Sequence, residues 1–256
     1  MSFFHWNYIN KPLFLGFQNW GRIVHDQVFL KSMVNTGLFS LYFVVPVIVL
    51  GLVLALLINS KLNKLKFVRS MYYLPVVTSF VVLSALWLWL FASGDYGIIN
   101  NFLKLLHLSP QPFYNSETQA LQVLSLLSIY KCAGTIMIYY YAALKNIPDT
   151  LYEAATIDGA NERQKLMKIT LPTLQPTTFY VLILAITWSF QVFDSAYLIT
   201  SGGPNNSTQT IVYQIYLNAF TGAKGGYASA QSVLLFLMIL TITLILKRFN
   251  KNDNEA

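Results

Sequence analysis

The sequence predicts an all-α, polytopic membrane protein, a bundle of five transmembrane helices, or six if the full-length parent carries another. Three observations lead there. Of 256 residues, 55% are hydrophobic and only 11% charged, whereas an average soluble domain carries roughly 25% charged residues. Apolar stretches of about 22 residues recur, and each would reach about 33 Å as a helix, enough for a hydrocarbon core of about 30 Å. Lys and Arg gather in short loops beside these stretches, so the net charge of +7 speaks for membrane orientation and against a nucleic-acid partner.

The first 36 residues are mixed and aromatic, with Trp6, Tyr8, Phe14, Phe17 and Trp20 among Asn10, Lys11, Arg22 and Asp26. They make neither a span nor a signal peptide. A first span is expected from Gly37 to Ile58, with Pro46 as a kink whose freed carbonyl neighbouring helices can satisfy. A basic loop follows, with Lys61, Lys64, Lys66 and Arg69. The second span, Met71 to Ala92, holds Pro75 in its first turn and closes on Trp87 and Trp89, rings suited to a headgroup boundary. After a polar stretch comes the third span, Leu121 to Leu144, containing Lys131. The fourth, Thr177 to Ile199, carries Asp194 and is stopped by the Gly202, Gly203, Pro204, Asn205 cluster. The fifth, Ala228 to Leu246, leads into Lys247, Arg248 and a tail of residues 249–256.

Basic residues orient the bundle. Segments 59–70, 145–172 and 247–256 hold 11 Lys and Arg in 50 residues, and the other three hold 5 in 92, which makes the first set cytoplasmic. Residues 1–36 then fall outside the cell, an awkward placement for a polar leading segment, and the reason a preceding helix is expected in the parent.

Residues 147–172 read as two short helices at a tight angle. Asp149 stands near the amino end of the first, and Gly159 is placed to stop it in a left-handed conformation. Asn161 with Gln164 three residues on has the spacing of a capping box and opens a second helix through Lys168. Short stiff helices can transmit a rigid-body push that a floppy loop would absorb. The bland alternative is a solvated connector.

The residues themselves carry a resemblance. Glu153-Ala154-Ala155, then Gly159, then Ile169 and Leu171-Pro172, is similar at every signature position to the EAA loop of binding-protein-dependent ABC importer permeases. Gly51-Leu52, Arg69-Ser70 with Leu74-Pro75, Phe193-Asp194, Tyr197, Gly202-Gly203-Pro204 and Tyr216 resemble the sugar-permease branch of that family, so the likeness runs from about Phe14 to Arg248. The resemblance implies a MetI-like bundle in a bacterial plasma membrane, importing a sugar, polyol or glycerol phosphate. It implies a second permease subunit in a heterodimer, two ATP-binding subunits that use ATP and Mg, and an extracytoplasmic solute-binding protein. The docking surface for the ATPases is then Glu153, Ala154, Ala155, Asp158, Gly159 and Ala160. Branch members usually start with an additional helix, a departure that bears on the amino-terminal question.

Three polar residues are candidates for the substrate path. A cation at mid-span costs roughly 2.5 to 3.5 kcal/mol on insertion scales, so Lys131 must find water, a partner or the interface; it either snorkels outward or lines the path. Gln191 and Asp194 stand one helical turn apart and would face one side. The aromatic residues of the spans read as packing and belt residues. No catalytic or metal site is expected, since the chain has no GxxxxGK[ST] loop, its three His are far apart and Cys132 is alone. An ion-coupled transporter would show internal repeats and paired mid-membrane charges, and a permease for a non-sugar solute would share the EAA loop.

Overall fold

The computed structural model describes residues 1–59 and 66–253, with side chains at 1–59 and 72–249; Lys61 and Lys64 of the basic loop and the last three residues lie outside the described residues. In chain order the elements are a two-residue antiparallel pair, β1 (Phe4–His5) and β2 (Leu13–Phe14), then α1 (Gln18–His25), α2 (Gln27–Asn59), α3 (Lys66–Val77), α4 (Phe80–Leu90), α5 (Ile98–Leu105) and α6 (Ala120–Lys145). They continue as α7 (Asp149–Ile157), α8 (Glu162–Lys165), α9 (Leu171–Thr173), α10 (Gln175–Phe190), α11 (Ile211–Tyr216) and α12 (Gly225–Asp253).

Among the described residues, three helices are long and apolar enough to cross a membrane: Gln27–Asn59, Ala120–Lys145 and Gly225–Phe249. A pair, Glu162–Thr173 with Gln175–Phe190, is long and apolar enough only when taken together and is bent by 62° at its break, as in a broken span or a re-entrant loop. Two of the five expected spans are not single helices. The stretch 71–92 is not one helix: α3 stops at Val77, Ser79 is extended with ψ 140°, and α4 begins at Phe80. The stretch 177–199 is not one helix either, because α10 ends at Phe190 and a separate helical segment covers Asp194 to Thr200. Apolarity reports the solvent a segment prefers and says nothing of where its dihedrals leave the helical region.

The first helix also starts earlier than expected, at Gln27 instead of Gly37. Asp26 explains the start: its carboxylate accepts from the amides of Val28 and Phe29, both at 3.0 Å, and so caps the amino end of α2. The other carboxylate oxygen accepts from the Tyr227 hydroxyl at 2.8 Å, fastening α2 to the start of α12.

The chain divides into two compact units. One comprises Met1–Phe43, Ser79–Ser128 and Ile186–Ala256. Its core gathers Ile23, Phe29, Phe190, Ile211, Tyr227, Ala230 and Leu235. The turn after Thr200 belongs to it, with φ of +82° at Gly202, and is held to α2 by Lys31, which donates to the Asn205 carbonyl at 2.6 Å, and by Asn35, which donates to the carbonyls of Asn206 and Gln209. The other unit comprises Val44–Thr78 and Ile129–Ala185. Here α2 and α6 approach closely at Gly51, where a Cβ would lie 2.5 Å from Ile136 Cγ2. Small residues at such crossings let backbones meet where lipid offers no hydrophobic gain for association. Tyr140, fully buried, donates its hydroxyl to Thr178 Oγ1 at 3.1 Å and joins α6 to α10.

Candidate functional site

The elbow between α6 and α10 is built by local hydrogen bonds. α7 carries Glu153, Ala154 and Ala155, and its first residue, Asp149, sets a carboxylate against the positive end of the helix. Its far end closes with the amide of Ala160 donating to the Ala155 carbonyl at 2.9 Å and that of Gly159 to Thr156 at 3.1 Å, the paired bonds of a Schellman motif. Gly159 holds φ +78°, the left-handed conformation expected of it. The capping box is also present: the Gln164 amide donates to Asn161 Oδ1 at 2.9 Å, and the Asn161 amide donates to Gln164 Oε1 at 2.8 Å. The second helix reaches beyond Lys168 to Thr173, passing through a π-helical turn at Leu166–Thr170 between α8 and α9.

The two arms are braced to each other and to the bundle. Tyr152 and Thr170 share a hydroxyl hydrogen bond of 2.9 Å, and Ile147 and Leu174, buried at 6% and 1% exposure, anchor the two ends of the elbow. Between the arms lies a concavity of about 360 Å³ lined by Ala155, Asp158, Gly159 and Ala160 together with Gln164, Lys165, Lys168 and Ile169. Four of the six residues expected at the docking surface thus share one hollow, while Glu153 and Ala154 stand exposed on α7. Sequence reading had not singled out Lys165 and Lys168 as site residues. Their spacing from Gly159 carries no signal until the turn folds the arms together. Ile157, at the end of α7, is 87% exposed, an apolar side chain without cover on a polar element.

The candidates for the substrate path fare differently. Lys131 is half-buried, and its ammonium donates to the carbonyls of Pro75, Val76 and Thr78 at 3.2, 2.8 and 2.5 Å. Gln191 and Asp194 are both exposed, but the helix ends between them, so the expectation of one shared helical face is corrected. Asp194 instead opens the segment that runs to Thr200. Beside it, five rings missed by the sequence reading as a group come together: Phe193 stacks on Tyr197 at 5.2 Å, and Tyr213, Tyr216 and Phe220 continue the cluster. Three of these rings follow the turn after Thr200, so helical spacing could not have collected all five.

Residues 47–252 match the family profile described as binding-protein-dependent transport system inner membrane component. The chain belongs to this family. The permease is 32% identical to the arabinooligosaccharides transport system permease protein AraP of Bacillus subtilis strain 168, over 91% of this chain and 74% of that protein. It is likewise 32% identical to the sn-glycerol-3-phosphate transport system permease protein UgpA of Escherichia coli O6:K15:H31 strain 536, over 92% and 80%. Among solved structures it is similar to a chain of a bacterial alginate ABC transporter in complex with alginate pentasaccharide-bound periplasmic protein, with a TM-score of 0.85 and 26% identity over 94% of this chain and 84% of that one. The permease is thus a multi-pass membrane component of an ABC transporter.

Proposed function

We propose that this permease admits a sugar or oligosaccharide, delivered by an extracytoplasmic solute-binding protein, and that it does so as one half of a pair of membrane subunits driven by two separate ATPases. The observation that carries the reading is the elbow at 147–172. It is stiffened at both turns, anchored at both ends by buried side chains, and it presents Glu153, Ala154 and the uncovered Ile157 outward. Apolar area left open on a rigid polar knob suits a soluble partner that covers it. In this reading ATP and Mg act on the partner chains, and closure of those chains pushes α7. The push passes into α6 through the three residues Asn146 to Pro148. The knob lies on the cytoplasmic side, with residues 1–36 on the other.

Gln191 and Asp194 are the polar groups proposed for the solute path, because an exposed amide and carboxylate can pair with hydroxyl-rich solutes, and the rings of Tyr197 and Phe220 beside them offer stacking faces. Lys131 is not among them. The names of the relatives support an oligosaccharide or a polyol phosphate as cargo.

Glu153→Lys and Gly159→Val test the elbow. Both variants are expected to reach the membrane yet lose co-purification with the ATPase chains and at least about 10-fold in uptake, since a lost buried contact of about 1.4 kcal/mol or more is a factor of ten. Uptake is measured with radiolabelled arabino-oligosaccharides, malto-oligosaccharides and glycerol 3-phosphate. Normal co-purification and uptake in both variants would refute the reading.

A further inference from the structure

Helix α3 ends where its last carbonyls have no following amides to receive, a difficulty at any helix end and a worse one in hydrocarbon. The Leu74 carbonyl is met locally, by the Thr78 amide at 3.1 Å and the Thr78 hydroxyl at 2.8 Å. The carbonyls of Pro75, Val76 and Thr78 converge instead on the ammonium of Lys131. An ammonium has three protons to donate and here it has three acceptors. The match is electrostatic as well, because a helix carries roughly half a negative charge at its carboxyl end.

One turn further along α6, on the same face, a Cβ at Gly134 would lie 2.6 Å from the Tyr72 carbonyl oxygen and 2.6 Å from Val76 Cγ2. Backbone therefore meets backbone at Gly134 while the ammonium closes the end of α3 at Lys131. Both fastenings sit on the helix that leads, at Lys145, into the elbow.

We propose that Lys131 is a positioning residue of the transport cycle, pinning the carboxyl end of α3 to α6 so that a displacement entering α6 from α7 carries α3 along as one piece. This rests on the reading of α7 as the element the ATPases push. The pin needs a cation with several donors on a flexible stem, so Lys131→Met removes the function and keeps the stem. Lys131→Arg keeps the charge and the donors in a different geometry.

The test uses the complex purified with its ATPase subunits and reconstituted in liposomes, with spin labels at Leu74 and Ile138, exposed at 61% and 42%, in a Cys132→Ser background. The parent is expected to show one narrow distance distribution, the same without nucleotide and with ATP and vanadate. Lys131→Met is expected to broaden it and to shift its mean by about 2 Å or more on nucleotide addition, the scale of helix shifts in switching proteins. Lys131→Arg is expected to restore the narrow distribution. A narrow, nucleotide-independent distance in Lys131→Met would overturn the proposal. Should Lys131→Met not reach the membrane, Lys131→Gln, which keeps amide donors but no charge, is read in the same way. A label at Ile157 separates the two ideas: if its mobility does not fall when the ATPase chains bind, the docking reading fails, whereas the α3 to α6 distance judges the pin alone.

Discussion

Helical geometry is interrupted in two places that solve one problem by different means. At the elbow, partners lie three to five residues apart: Ala160 on Ala155, Gln164 on Asn161. At the break after α3, the carbonyls left open are met by a side chain 53 to 56 residues away. The elbow is mostly exposed, so water completes what local caps leave, and short-range pairs suffice. The break lies in a stretch apolar enough to read as a span, where water is scarce and an open carbonyl costs several kcal/mol. A cation brought by α6 resolves it, and in doing so relieves the cost of keeping that cation in the membrane.

The comparison can be broken at its long-range end first. Gly134→Val forces a side chain into the Tyr72 carbonyl, and an overpacked backbone crossing is expected to destabilise the permease by about 1–3 kcal/mol. The thermal inactivation midpoint of the detergent-solubilised complex should fall accordingly, and an unchanged midpoint would mean that α3 and α6 do not approach closely there. At the elbow, Gly159→Ala meets open space, so its expected cost is only the left-handed backbone, about 1–2 kcal/mol, read as a smaller fall in the same midpoint. Asn161→Ala removes one cap of the second arm and is expected to cost about 1 kcal/mol. Hydrogen exchange should then rise at residues 162–165 while α7 keeps its protection; a loss spread over both arms would show that the capping box, and not the Tyr152 to Thr170 bond, holds the arms.

These differences mirror what could be read in the chain. Gly159 and the Asn161 to Gln164 pair were legible because left-handed stops and capping boxes are made within one turn, from residue types few other positions require. The long apolar crossings of α2, α6 and α12 were legible because hydropathy is a property of composition. The breaks at Thr78 to Ser79 and at Gln191 were not, since the apolar runs on either side of them, Val76-Val77 with Phe80 to Leu83 and Ile186 with Val192-Phe193, continue the hydropathy of a span. Lys131 was recognisable as a cation in need of a partner, but its partners are backbone atoms, which have no letter in a sequence.

From its residues alone the chain determined its solvent, its helical class, its family and the turn chemistry of its elbow, because each depends on composition or on neighbours within a few positions. Only the tertiary structure decided that two apolar stretches are interrupted, that Lys165 and Lys168 join the hollow of Gly159, and that the cation at 131 closes the end of a helix. Those outcomes depend on which backbone groups are brought together across dozens of residues, and hydrogen bonds to the main chain select for position and not for side-chain type.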